Sequence, residues 1–330
     1  MKWQHKARLQ NLIASLPLAD RVYYTVQRTA GNLRTSLLDP FDWLQSSANI
    51  VSWVAASRGS ISGVRSLEIG TGRTVTIPLG LWLCGAGPIT SVDLNRYLSA
   101  KLTAECNRLI QRNPGRVREI FGTYSQLPIF EERFRQFADF RGGLYEFLGM
   151  INLQYLSPAD ATRLPLPEAS FDVHFSRAVL EHVPAEQIVA ILQEANRLLK
   201  PEGMLFHNID PSDHFAHGDP SISLINFLQF SDREWGKWAG NKYMYHNRLR
   251  AHELRRLFES TGVYILRQSQ TCDQRSVEAL RRGFRVDSRF REIPPEQLAI
   301  TGINLMGTFS PKNTAHMPDA VVSSAEVVRC

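Results

Sequence analysis

Apolar positions in the first 58 residues recur with helical spacing. Leu9, Leu12, Ile13 and Leu16 fall at i, i+3, i+4 and i+7, which predicts amphipathic helices with one apolar face. The pattern changes from Val64. Short apolar runs (VRSLEI, ITSVDLN, LQYLSPADA, FDVHFSRAV and MLFHNID) alternate with longer periodic segments, so the chain reads as an α/β domain on a mainly parallel sheet. Helices are expected over 96–112, over the face shared by Ile188, Ile191, Leu192, Ala195, Leu198 and Leu199, and over AHELRRLFESTG, with Pro201–Gly203 and Gly262 as stop signals. VYILRQSQ and LAITGINLMGTF bring the expected strands to seven.

These shifts divide the chain into a helical N-terminal extension (1–58), an α/β domain (59–310) and a polar, aperiodic tail (311–330) expected to be disordered. Within the domain, 121–155 is rich in Phe, Glu and Arg and too long for a simple loop, so it is expected to be a helical insertion that caps a site. No run reaches the ~18 apolar residues of a membrane span, and the N-terminus lacks a signal-peptide pattern, so a cytoplasmic protein is expected. The four cysteines, Cys84, Cys106, Cys272 and Cys330, stand singly, without metal-binding spacing, and read as reduced thiols. A net charge of +6 does not by itself indicate nucleic acid without an RNA-binding signature, and the arginines that crowd residues 248–291 read as a solvated helical face or as recognition of an anionic substrate or partner.

The segment SLEIGTGRT, residues 66–74, carries the first chemistry: a strand, an acid, then two glycines spaced by one residue. A dinucleotide turn would need a third glycine, where Val75 stands. Glu68 would repel a pyrophosphate but attract an amino group. The charge therefore argues against NAD.

With these residues the segment resembles the first motif of the class I S-adenosylmethionine-dependent methyltransferases, acid-x-Gly-x-Gly-x-Gly, with Thr74 in place of the last glycine. The order of later residues extends the resemblance over 60–210: Asp93 ends the second strand, and DATRLPLPEASFDVHFSRAVLEHV (160–183) is similar to the third and fourth motifs. The resemblance, to a methyltransferase type 11-like core, implies a Rossmann-like, doubly wound seven-stranded sheet and S-adenosylmethionine as cofactor. It implies donor contacts at Glu68, Gly70, Thr71, Gly72, Asp93, Leu94, Asp160, Ala161 and Ser176, with Asp93 on the ribose hydroxyls and Asp160 and Ala161 at the adenine.

Methyl transfer to a hydroxyl requires a base. HNIDPSDHFAHGD (207–219) follows the fifth strand at the end where open α/β sheets bind ligands. Its candidates are His214 as general base, His217 as the second choice, and Asp213 or Asp210 to orient the ring. His182 is a weaker candidate, because the resemblance places it against the donor. Asp210, Asp213, His214 and His217 also carry ligand atoms suited to a divalent ion, but they crowd within one short loop, and no metal is assigned.

NKYMYHNRLR (241–250) sets aromatics beside Asn247, Arg248 and Arg250, a composition suited to an anionic or saccharide acceptor or, equally, to a helix cap. The expected function is O-methylation of a small-molecule or saccharide acceptor. The alternatives are a non-catalytic donor-binding partner subunit and an RNA methyltransferase. Nucleic acid is disfavoured, since SRAVLEHV stands where an Asn-Pro-Pro-Tyr-like tetrapeptide would. The oligomeric state is left open.

Overall fold

The structure, a computed structural model, describes residues 1–29, 39–310 and 327–329. Strands β1 (Ser66–Ile69), β2 (Ile89–Val92), β3 (Leu153–Leu156), β4 (Phe171–Arg177), β5 (Leu199–Ile209), β6 (Tyr264–Cys272), β7 (Ile300–Thr308) and β8 (Val327–Arg329) form one sheet in the order β3-β2-β1-β4-β5-β7-β6-β8. The first five pair in parallel, whereas β7 runs antiparallel to both β5 and β6. All seven expected strands are present. β8 adds to β6 in parallel, so residues 327–329, expected to be disordered, cover a sheet edge whose backbone groups would otherwise be open. Residues 311–326 lie outside the described residues.

Strands β1 and β2 are buried along their whole length, as a parallel sheet covered on both faces requires. One face carries α3 (Phe41–Arg58) and α4 (Thr76–Leu83), and the other carries α9 (Ala185–Leu198) and α11 (Ala251–Ser260). Every residue of α4 is buried, so its sequence, TIPLGLWL, shows no amphipathic period and reads only as an apolar run. Gly80 lets α3 approach it closely, because a Cβ there would strike Ser47.

Three helices, α5 (Ala100–Gln111), α6 (Pro114–Phe121) and α7 (Pro128–Asp139), precede α8 (Leu144–Met150) and β3. The expected cap over a site is corrected here. Phe121, Phe130, Phe134, Phe137 and Phe147 form a chain of ring contacts, 5.3 to 6.2 Å between neighbouring centroids, inside the same core as α3 and α4. Apolar demand, which composition cannot assign to a place, draws the segment into that core.

The N-terminal helices α1 (Trp3–Ala14) and α2 (Ala19–Thr29) are present, but the expected apolar face of α1 is not the one buried. Leu9, Leu12 and Leu16 are exposed, and the buried positions are Trp3, Ala7, Gln10 and Ile13. Trp3 decides the orientation, with its ring 5.1 to 6.2 Å from those of Phe215, Phe230, Trp235 and Trp238. Burying one indole contributes more than burying any of the leucines. These partners lie on α10 (Asp232–Ala239) and in the segment before it. Two short helices, α12 (Gln274–Arg281) and α13 (Pro295–Leu298), complete the fold. Among the described residues no helix is long and apolar enough to cross a membrane. Cys84 and Cys106 are buried free thiols; Cys272, read as reduced from its spacing, is disulfide-bonded, a pairing that local spacing cannot reveal.

Candidate functional site

The strand order reverses between β1 and β4, and the glycine turn leaves β1 at that point, the usual ligand crevice of such sheets. Gly70 and Gly72 have φ of +79° and +66°, a region that L-residues with side chains disfavour. At Gly70 a side chain would also collide with Val179. Glu68 is buried at the end of β1 and accepts a hydrogen bond from the Ser91 hydroxyl, whose oxygen lies 2.5 Å from Thr71 Oγ1. Burial pushes its carboxyl up to about 7, with the nearby Asp93 charge adding to the shift and the Ser91 bond opposing it. A buried acid with no cation paired to it among the described residues thus stands beside the turn.

Asp93 closes the turn from β2. One carboxylate oxygen accepts from the Gly72 N–H at 2.8 Å and the other from the Asn95 N–H at 3.2 Å. Burial raises its pKa, and these donors hold the rise down. The Ala159 N–H donates to the Asp93 carbonyl at 2.9 Å, which ties the segment carrying Asp160 and Ala161 to the same crevice. Asp160 is exposed and accepts from the Thr162 N–H at 2.9 Å and its hydroxyl at 2.8 Å. Leu94 is exposed at the β2 end. Ser176, opposite Ile69 across the β1–β4 pairing, is buried, with its hydroxyl 2.8 Å from His207 Nδ1.

The helical extension also reaches this crevice. The Arg73 guanidinium lies 4.8 Å from the centroid of Tyr24, on α2, and 5.3 Å from that of Tyr97. The Tyr24 and Ser99 hydroxyls are 3.2 Å apart, and Arg28 pairs with Glu105 at 3.0 Å. Tyr24 carried no sequence signal, since its role depends on where α2 docks.

Beyond β5 the chain gathers four imidazoles. The His214 ring centroid is 4.2 Å from that of His246, 4.9 Å from that of His182 and 5.0 Å from that of His217; His182 and His246 are 4.8 Å apart. Asp210 is the carboxylate among them, 3.4 Å from His214 Nε2 and 3.7 Å from His217 Nε2. Its own pKa is lowered to about 2: burial opposes ionisation, but the His214 side chain and Ser212 outweigh it. His217 is exposed, with Nε2 3.0 Å from the Ser212 hydroxyl. Asp213 points elsewhere. It is fully buried and accepts from the Phe215 N–H at 2.8 Å and from Asn226 Nδ2 at 3.0 Å, and burial raises it to about 6. Nearby Glu181 is buried, and burial pushes its carboxyl up to about 8, with the Asp210 charge adding to the rise and nearby backbone N–H groups and Arg177 opposing it.

The acceptor role considered for Arg248 and Arg250 is corrected by burial. Arg248 Nη1 donates to the carbonyls of Phe227 (2.8 Å) and Phe230 (2.6 Å), and Arg250 Nη2 to that of Pro211 at 2.6 Å. Both guanidiniums pin backbone inside the protein. Asn247 does not cap α11 either: its Nδ2 donates to the carbonyls of Leu180 (2.7 Å) and Val183 (2.9 Å), fastening the segment to the turn that bears His182. The consequence is the placement of His246, which the sequence did not single out.

A cavity of about 200 Å³ opens between α3 and the ends of β4, β5 and β7. Asp42, Gln45, Asn49, Arg177, Asn208 and Asn304 supply most of its polar wall. Burial lowers the pKa of Arg177 while the charges of Asp42, Glu181 and Asp210 oppose the shift; neither Asp210 nor the four clustered histidines line the cavity.

Residues 146–207 match the family described as methyltransferase domain. No curated protein sequence matches the chain. Similar solved structures include the magnesium protoporphyrin IX methyltransferase of Synechocystis PCC 6803 with bound S-adenosylhomocysteine, at 15% identity over 81% of this chain and 83% of that one, TM-score 0.41. Another is the 1,6-didemethyltoxoflavin-N1-methyltransferase of Burkholderia thailandensis, at 13% identity over 94% and 91%, TM-score 0.42. A third is an S-adenosylmethionine dependent methyltransferase of Mesorhizobium loti, at 16% identity over 80% and 99%, TM-score 0.40. These likenesses are remote, whereas the matched segment holds Asp160, Ala161 and Ser176 and follows the glycine turn in the expected order. The match over residues 146–207, within an eight-stranded α/β sheet that contains the seven expected strands, supports the resemblance to the class I S-adenosylmethionine-dependent methyltransferases and the cofactor it implies, S-adenosylmethionine.

Proposed function

We propose that the chain transfers the methyl group of S-adenosylmethionine to a hydroxyl of a small polar acceptor, a saccharide or similarly hydroxylated molecule. The donor's ammonium would sit at Glu68 and its ribose at Asp93. The observation that carries the acceptor side is the His214–Asp210 pair, 3.4 Å apart just beyond β5, at the same end of the sheet as the glycine turn. S-adenosylmethionine, when bound, would supply an electrophilic methyl group whose transfer breaks its carbon–sulfur bond, and this pair would accept the proton released by the acceptor hydroxyl. The amide and carboxyl groups of the cavity suit hydroxyl-rich molecules, and its volume of about 200 Å³ favours a single ring; drug-sized ligands take about 300–1,000 Å³. A cytoplasmic location belongs to the same proposal, and cell fractionation tests it.

Incubating the protein with isotopically labelled donor and a panel of hydroxylated small molecules, sugars and sugar acids tests the reaction by mass spectrometry. A gain of one methyl on oxygen is the expected result. Donor binding with no labelled acceptor would favour a binding subunit, and labelling of RNA would replace the acceptor class.

A further inference from the structure

We propose that His182, His214 and His246 form a binding site for one divalent transition-metal ion of the zinc type, with Asp210 as the adjacent anion. One ligand atom from each histidine lies within 4.8 Å of the others, although the three come from the turn after β4, the loop after β5 and the segment before α11. Small ring rotations would bring such nitrogens to the ~2.0–2.1 Å of a zinc–imidazole bond.

Two independent features point to a ligand. His246 is only 6% exposed, and neither ring nitrogen has a hydrogen-bond partner among the described residues, although its ring contacts both His182 and His214. A buried polar atom without a partner is costly, and a bound cation would satisfy it. At His182, Nδ1 lies 2.9 Å from the carbonyl oxygen of Tyr245, the residue next to His246. That contact selects the tautomer with hydrogen on Nδ1 and leaves the Nε2 lone pair free, the usual backbone support of a metal-ligating histidine.

Three imidazoles and a carboxylate favour zinc, cobalt, nickel or iron over magnesium or calcium, which prefer all-oxygen shells. His182 is open to solvent, so the ion has an entry path. A second group, Asp210, His214 and His217, overlaps this one at His214. The trio is preferred because it contains the buried, unpartnered ring. The site does not depend on the methyl-transfer proposal.

Chelator-treated full-length protein titrated with Zn²⁺ or Co²⁺ gives the test, read by metal analysis after gel filtration and by the visible bands of low-symmetry cobalt. One ion per chain is expected, with binding weakened about a hundredfold or more in His182→Ala and His246→Asn. His182 lies at the open rim, so its variant should fold, and S-adenosylhomocysteine binding by calorimetry verifies this for each variant. Absence of stoichiometric binding in the wild type would overturn the site. So would binding retained in both variants, or binding lost in His217→Ala but kept in His246→Asn. No acceptor enters the measurement, so it can fail or succeed independently of methyl transfer.

Discussion

The ring of His214, in the loop after β5, lies 4.2 Å from that of His246, in the segment before α11, centroid to centroid. Asp210 stands 3.4 Å from the same His214 ring, while Asp213 is turned into the core. If this pair accepts the acceptor proton, His214→Ala lowers turnover by about 10² to 10⁴ and leaves donor affinity nearly intact. Asp210→Asn should lower kcat as well. Asp213→Asn should act on stability instead, by about 1–3 kcal/mol, because it disturbs buried hydrogen bonds to Phe215 and Asn226. Steady-state kinetics beside thermal unfolding separates the two aspartates, and equal kcat losses without a change in stability would reject the distinction.

Glu68 makes the donor-free protein pH-sensitive. Its pKa rises from 4.5 to about 7 on folding, so the folded state binds the extra proton between those values. The contribution of this group to stability is therefore highest below pH ~4.5, falls as pH rises to ~7 and then levels, a span of up to about 3 kcal/mol. With the donor ammonium at Glu68 as proposed, donor affinity should move oppositely, strengthening as pH rises through ~7, because the carboxylate ionises there. Glu68→Gln should remove both dependences, raise the melting temperature of the donor-free protein at pH 8 and weaken S-adenosylmethionine binding. Calorimetry and thermal unfolding across pH 5–8 measure these opposite trends.

Removing the Asp93 carboxylate should weaken donor binding by about 1–3 kcal/mol, the range for losing a buried hydrogen-bonding partner. Part of that loss comes through the turn, since Asp93 holds the Gly72 N–H at 2.8 Å. Asp93→Ala should still fold. Unchanged affinity for S-adenosylhomocysteine would mean that Asp93 serves the turn alone.

At Gly70, two constraints coincide: φ of +79° and the Val179 side chain where a Cβ would stand. Gly70→Ala is expected to abolish measurable donor binding and lower stability. Adding Val179→Ala should recover only part of the loss, because it relieves the collision and leaves the backbone strain. Full recovery in the double variant would show that the conformation of Gly70 is unimportant.

The local order of SLEIGTGRT, Asp93 and the alternating apolar runs was enough to predict the sheet and the glycine turn, because strand period and turn chemistry are properties of neighbouring residues, whereas the donor came from the family resemblance that these residues carry. Where leverage came from distant partners, sequence spacing was silent or misleading. Leu9, Leu12 and Leu16 have helical spacing, yet Trp3 turns α1 so that they face outward. Arg248 and Arg250 have the composition of an anion site, yet burial makes them backbone pins, and Asn247, beside them, carries His246 to His182. Only tertiary packing could bring His182 and His246 to the loop that carries Asp210, His214 and His217, because proximity across a sheet end depends on the global path of the chain and not on any pattern within one segment.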